Sequence, residues 1–233
     1  MKAEIREHLQ TARSARRPVA LVTDLASGEQ ALLDGGSVAG GLMLVGETLA
    51  EAKRLLERDT SKAIEIGGQR FFVHVYNPPS RLIVVGAVHI AQVLAPMAAF
   101  MGYAVTIVDP RRSFATDARF PTVTLSDDWP DEAMEKLAPD RRTAVVTLTH
   151  DPKLDDPALA VALRSPAFYI GALGSRKTHA SRLVRLANLG LSEAELNRIR
   201  GPVGLAIGAI TPAEIAVSIL GQITEVRRKG GAA

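Results

Sequence analysis

From Leu82 to Val108 the chain carries no Asp, Glu, Lys or Arg. A run of that length is long enough to span a bilayer as a helix, so it forces a choice between a membrane segment and a buried interior one. The punctuation decides. Gly86, His89, Gln92, Pro96 and Gly102 fall where a strand–turn–helix–turn–strand unit needs its breaks, and strands buried on both faces read as continuous apolar runs. The run is therefore read as the first βαβ unit of a parallel sheet, and no integral membrane segment is expected. The same rhythm continues beyond it. Strands are predicted at 82–85, 104–108, 144–148, 167–170 and 205–207, and helices at 89–101, 127–138, 155–164, 176–189, 192–199 and 212–227. Such alternation implies an α/β, Rossmann-type doubly wound parallel sheet, covered on both faces and joined by right-handed crossovers.

Upstream the pattern differs. A short helix is predicted over 2–15, followed by strands at 19–23 and 30–33 around Ala26-Ser27-Gly28. Gly35-Gly36 and Gly40-Gly41 mark loops or close backbone approaches. Leu49, Ala52, Leu55 and Leu56 recur at helical spacing between Glu47 and Arg58. Strands at 63–66 and 70–76 flank Gly67-Gly68, a hairpin signal. Asn77-Pro78-Pro79-Ser80 then breaks the pattern and places a domain boundary, with a small α+β domain over 1–78 and the Rossmann-type domain over 79–233. Residues 227–233 read as disordered.

Composition narrows the function classes. Hydrophobic residues make up 47% and charged residues 23%, as in a soluble globular chain, while aromatics reach only 4%, too few for a stacking platform for single-stranded nucleic acid. The net charge is +3 and most of the 28 basic residues are arginine. Arginine suits planar anions, so acidic small molecules or an acidic partner surface are favoured over nucleic acid. There is no cysteine, which excludes disulfides, thiolate metal sites and cysteine nucleophiles in this chain and is compatible with the cytoplasm. Charges in Met1–His8 leave no apolar core for an export signal.

Three turns carry the candidate chemistry. The first is Gly86-Ala-Val-His-Ile-Ala91. A dinucleotide fingerprint is G-x-G-x-x-G/A after a strand, with an acidic residue roughly 20 positions on. Gly86 and Ala91 fit its first and third positions, and Asp109 fits the acidic one. Val88 stands where the middle glycine lets the backbone approach a pyrophosphate, which weakens the NAD reading, and a Rossmann turn that binds no dinucleotide is the bland alternative. His89, at the first helical turn, could hydrogen-bond a ligand. The second turn is Tyr169-Ile-Gly-Ala-Leu-Gly-Ser-Arg-Lys-Thr-His179. Gly171, Gly174, Ser175, Arg176, Lys177 and His179 combine backbone access, a helix N-terminus and two cations, a seat for a phosphate. The bland alternative is a turn capped by Ser175. The third, Gly208-Ala-Ile-Thr-Pro-Ala-Glu214, reads as a capping box of Thr211 and Glu214 with Pro212 at the first helical position. Glu214 as a general base is the lesser reading. His150 and Asp151 follow the strand at 144–148, where doubly wound folds place binding residues, although Asp151 before Pro152 also suits a turn.

Taken together, Gly86–Ala91, Val108-Asp-Pro-Arg111, Leu148-Thr-His-Asp151, Tyr169–His179 and Gly208–Ile215 resemble the XdhC/CoxI family, accessory proteins of molybdenum hydroxylases such as xanthine dehydrogenase and carbon monoxide dehydrogenase. The resemblance covers 81–225. It implies a family-specific N-terminal domain followed by a Rossmann-type domain, commonly as a homodimer. It further implies a non-catalytic factor that binds the molybdenum cofactor, a pterin with a phosphate and sometimes a dinucleotide form. Such a factor assists the cofactor's sulfuration and protection, with a cysteine desulfurase as a further partner, and hands it to the apo-enzyme. The Gly-Gly-Gly-Cys-Val-Glu segment usual in such proteins is replaced here by Gly35-Gly-Ser-Val-Ala-Gly-Gly-Leu-Met43, without cysteine or glutamate, in a shortened N-terminal domain. Two other readings compete: a small NAD(P)-dependent oxidoreductase, and a nucleotide-sensing regulatory module.

Overall fold

The computed structural model describes residues 2–121 and 123–229. The chain divides into two compact units, Met1–Pro78 and Pro79–Ala233. The first contains α1 (Ala3–Ser14), β1 (Val19–Asp24), β2 (Gln30–Asp34), β3 (Ser37–Gly40), α2 (Gly46–Glu57), β4 (Lys62–Ile66) and β5 (Gln69–Tyr76). Its antiparallel sheet has the order β3-β2-β1-β5-β4. Alternation along the strands sorts the side chains to two faces. Ala20, Val22, Ala31, Leu33, Phe71 and Val73 pack on Ala52 and Leu55 of α2. Val19, Leu21 and Leu32 pack on Ile5, Leu9 and Ala12 of α1. The glycine pairs that read as loops or close backbone approaches bound β3, a strand not expected from the sequence; Gly40 is its last residue, and a Cβ there would collide with the Gln30 carbonyl oxygen.

The second unit contains β6 (Arg81–Val85), α3 (His89–Phe100), β7 (Ala104–Val108), β8 (Thr124–Ser126), α4 (Pro130–Leu137), β9 (Thr143–Thr147), α5 (Pro152–Arg164), β10 (Tyr169–Ala172), α6 (Arg176–Asn188), α7 (Glu193–Leu196), β11 (Ile199–Arg200) and α8 (Pro212–Lys229). All neighbours in its sheet are parallel, in the order β11-β10-β9-β6-β7-β8. Counted within the unit and read from β8, this is the 3-2-1-4-5-6 order of dinucleotide-binding sheets, which reverses direction between β6 and β9. Leu82, Val84, Ala144 and Val146 pack on α3 and α8. Ile83, Val85, Val145 and Ile170 pack on α4, α5 and α6. The uncharged run from Leu82 to Val108 is thus β6–α3–β7, buried between layers, and among the described residues no helix is long and apolar enough to cross a membrane.

The C-terminal part departs from the expected elements. Residues 205–207 form no strand. There the chain lies along α8, with Leu205 N–H donating to the Ser218 carbonyl and Gly204 N–H to Gln222 Oε1, so these donors are satisfied by a helix instead of a ladder. The sixth strand is Ile199–Arg200, which begins at the last residue of the segment expected to be helical over 192–199. The helix there is a single turn, closed at its start by a Ser192–Glu195 capping box. Arg198 then leaves it to donate to the carbonyls of Leu163, Ser165 and Ala167, which brings the following residues against β10. Thr124–Ser126 adds an edge strand too short to show a period. Arg227–Lys229, expected to be disordered, form the last turn of α8, where cations suit the helix dipole. Residues 230–233 lie outside the described residues.

Candidate functional site

Ligands of open α/β sheets bind outside the carboxyl ends of the strands, at the point where strand order reverses. Here that point lies between the loops leaving β6 and β9. Gly86 leaves β6 with φ 112, a left-handed value that disfavours any side chain. A Cβ at Gly86 would stand 2.7 Å from Thr149 Cγ2, so the two loops touch because this residue is glycine. Val88 precedes α3 and gives it no side-chain cap. Its half-buried side chain packs on the α3/α8 core. His89 is exposed at the first helical position.

Asp109, which the fingerprint assigns to a ribose, is fully buried. Its Oδ2 accepts from Ala87 N–H at 2.8 Å and Arg111 Nη2 at 2.7 Å, and its Oδ1 accepts from Arg111 N–H at 3.0 Å and Nε at 2.8 Å. Burial alone would raise this carboxyl, but the bonds from Arg111 and Ala87 outweigh it and hold it below the ordinary aspartate value. Asp109 therefore braces the first turn from beneath, with both oxygens engaged by the protein.

At the second turn, Gly171 lies buried in β10. A Cβ there would meet Val203 Cγ2 at 2.5 Å and Tyr169 at 2.8 Å, so its smallness serves strand packing and not ligand approach. Gly174 has φ 145 and sits against Thr178. Ser175 is the N-cap of α6, its Oγ accepting from Thr178 N–H at 3.1 Å. Arg176 and Lys177 are exposed on the first turn. Neither α3 nor α6 has an acidic residue in its first turn, although the buried Asp109 carboxylate already lies against the entrance of α3 through Ala87 N–H. His179 packs on Gly201. Burial and the nearby Arg182 push its imidazole below the ordinary histidine value, which keeps it neutral.

His150 is exposed in the β9–α5 loop with φ 61, an uncommon value for a side-chain-bearing residue. Asp151 is the N-cap of α5, its Oδ1 accepting from Lys153 N–H at 2.9 Å. The segment Gly208–Glu214 follows no strand, so it is not a third strand-to-helix turn on the sheet edge. Glu214 Oε2 accepts from the N–H groups of Ile210 and Thr211 at 2.8 and 2.9 Å, and Thr211 Oγ1 accepts from Glu214 N–H at 3.3 Å. Those backbone bonds hold its carboxyl below the ordinary value, as a helix cap does.

Four further residues support these loops: Arg111 and Thr149, which the sequence motifs contain but assign no role of their own, and Asp155 and Arg182, which the sequence does not single out. Asp155 Oδ1 accepts from Thr149 Oγ1 at 2.7 Å and Thr149 N–H at 3.3 Å. Arg182 Nη2 donates to the Leu173 carbonyl at 2.8 Å and stands 3.5 Å from Asp155 Oδ2. Both residues are 1% exposed. Burial raises the Asp155 carboxyl and lowers the Arg182 guanidinium. A signal for Arg182 does exist: it lies four residues before Leu186 on the buried face of α6, a charge within an apolar stripe.

The profile of the XdhC Rossmann domain matches residues 82–223. The chain is 34% identical over 152 residues to the molybdenum cofactor insertion chaperone PaoD of Escherichia coli K12, an alignment covering 65% of this chain and 42% of PaoD. It is 31% identical over 159 residues to a probable xanthine dehydrogenase subunit from Bacillus subtilis 168, covering 68% and 46%. It is 32% identical over 165 residues to the uncharacterized protein YqeB of E. coli K12, covering 69% and 30%. The matches thus span less than half the length of these relatives. A solved structure described as a xanthine dehydrogenase from Bacillus halodurans superposes with a TM-score of 0.75 at 25% identity, over 98% of this chain and 68% of that one.

Proposed function

This chain belongs to the XdhC family, and on that premise we propose that it is an accessory factor that binds the molybdenum cofactor and assists its sulfuration, protection or insertion into a molybdenum hydroxylase. The observation that carries the reading is the pair of helices that follow β6 and β10, α3 and α6, whose first turns carry no acidic residue while α6 presents Arg176 and Lys177 beside Gly174 and Ser175. Such an arrangement accepts a phosphate through backbone N–H groups and two cations. In this reading the phosphate of the pterin cofactor sits at Gly174–Lys177, with His89 and His150 at the rim. The cofactor is cargo, in its plain or dinucleotide form, and the chain's own groups bind and shield it without chemistry of their own. The apo-enzyme receives it, a cysteine desulfurase is the further partner when sulfur is added, and the carrier acts as a homodimer in the cytoplasm. The roles that PaoD and the B. subtilis protein bear in their names support this assignment. The engaged carboxylate of Asp109 weighs against an NAD(P)-dependent oxidoreductase.

A side-by-side titration with molybdenum cofactor, NAD and NADP, followed by pterin and intrinsic fluorescence, tests it. Saturable cofactor binding is expected, weakened about tenfold or more by Arg176→Ala/Lys177→Ala, the loss of roughly one charge-assisted contact or more. Nicotinamide binding without cofactor binding would overturn the reading.

A further inference from the structure

One buried ion pair lies under two crevice loops that are far apart in sequence. Asp155 sits in the first turn of α5, yet its carboxylate reaches back to the N–H and hydroxyl of Thr149, in the loop that enters that helix. Thr149 in turn is the residue against which Gly86 packs. Arg182 sits in the second turn of α6 and likewise reaches back, to the Leu173 carbonyl just before Gly174. The two side chains then meet, Nη2 to Oδ2, at 3.5 Å. Each thus holds the loop that feeds its own helix, and the pair holds the two loops to one another.

Stability gives little reason for such a pair. Apolar side chains of similar volume in place of a buried ion pair are often as stable or more so. This pair is also incompletely bonded. Asp155 Oδ2 and Arg182 Nε and Nη1 have no hydrogen-bond partner among the described residues, nor has Thr147 Oγ1, at the end of β9 and in register with Ala172 of β10. Buried polar groups in that condition are costly and call for an explanation beyond packing. What a directional pair supplies that an apolar one does not is a fixed distance between the backbones it grips.

We propose that Asp155 and Arg182 are positioning residues that lock the Thr149–Asp151 and Leu173–Ser175 loops in mutual register, so that the α6 anion seat faces the β6–α3 turn across a set gap. The effect on cofactor binding rests on the function proposed above, whereas the coupling of the two loops does not. The test compares Asp155→Asn, Arg182→Met and the double variant by thermal midpoint, by hydrogen exchange over 148–152 and 173–178, and by molybdenum-cofactor titration. Each single variant leaves a buried charge unpaired and is expected to lower the midpoint by about 8 °C or more. Each is expected to speed exchange in both segments, including the one it does not touch. The double variant should regain most of the midpoint, yet keep exchange about tenfold faster in both segments and bind cofactor about tenfold more weakly. A double variant with recovered midpoint and parental exchange makes the pair merely structural and overturns the proposal. So does a single variant that loosens only the segment it bonds. If the parent protein binds no cofactor, the function reading falls, and the exchange comparison still decides the coupling.

Discussion

At the scale of single residues the crevice is governed by what carboxylates do with backbone N–H groups. Asp109 and Asp155 each grip the amide of a neighbouring loop, Asp109 at Ala87 and Asp155 at Thr149. Each is faced by an arginine, Arg111 in one case and Arg182 in the other. Asp109→Asn removes the charge from the bonds that Arg111 donates and is expected to cost about 2 kcal/mol at neutral pH. The pH dependence has a definite sign. The folded-state value of Asp109 is depressed, so its contribution is complete above the unfolded-state value and is lost as pH falls through the folded one. Denaturant midpoints of parent and variant should therefore differ at pH 7 and draw together as the pH is lowered into acid; a gap that does not narrow would show that packing, not charge, holds the turn. Much of this site is legible in the sequence. Ser175 and the Thr211–Glu214 box cap helices as their spacing indicates, because capping is local, while Asp151, read as a ligand contact or a turn, also proves to be a cap. Spacing also picks out Asp109 but points it outward, since Arg111 turns it inward through contacts that spacing does not encode. Asp155 and Arg182 meet across two helices, and no local pattern pairs them.

At the scale of elements, the parallel strands β6, β7, β9 and β10 announce themselves because burial makes them largely apolar. The edges do not. β8 and β11 are short and lean on one neighbour each, so period and composition carry little signal. The segment at 205–207 reads as a strand because it is apolar, yet Leu205 N–H goes to α8 and Ile207 N–H turns back to the Leu205 carbonyl. Arg198 fixes this end of the sheet. Its guanidinium bonds the carbonyls at the end of α5 and the start of the β10 approach, so Arg198→Met should cost about 2 kcal/mol through unsatisfied carbonyls and lost charge-assisted bonds. Hydrogen exchange would localise the effect: amides of Ile199 and Arg200 should lose protection while those of β6 keep theirs. Uniform loss across the sheet would contradict an edge role.

At the scale of the whole molecule, each unit has its own apolar clusters, α1, α2 and the antiparallel sheet in one, α3–α8 and the parallel sheet in the other. Residues 79–233 are therefore expected to fold alone, with a cooperative melt and the circular dichroism of the α/β unit, whereas 1–78, near the size below which a single core is marginal, should melt at lower temperature. Calorimetry of the full chain and of the 79–233 fragment checks this; a fragment that fails to fold cooperatively would show that the units depend on one another. The 3-2-1-4-5-6 sheet is shared with dehydrogenases, and the Asp109–Arg111 clasp sets how far this chain stands from them. Removing Arg111 alone would leave a buried carboxylate without its counter-charge, and reshaping Val88 alone would leave the carboxylate still occupied. An engineer, or a lineage, seeking a nicotinamide pocket here would have to change both in one step, so this chain and a dehydrogenase are separated by a valley and not by a slope.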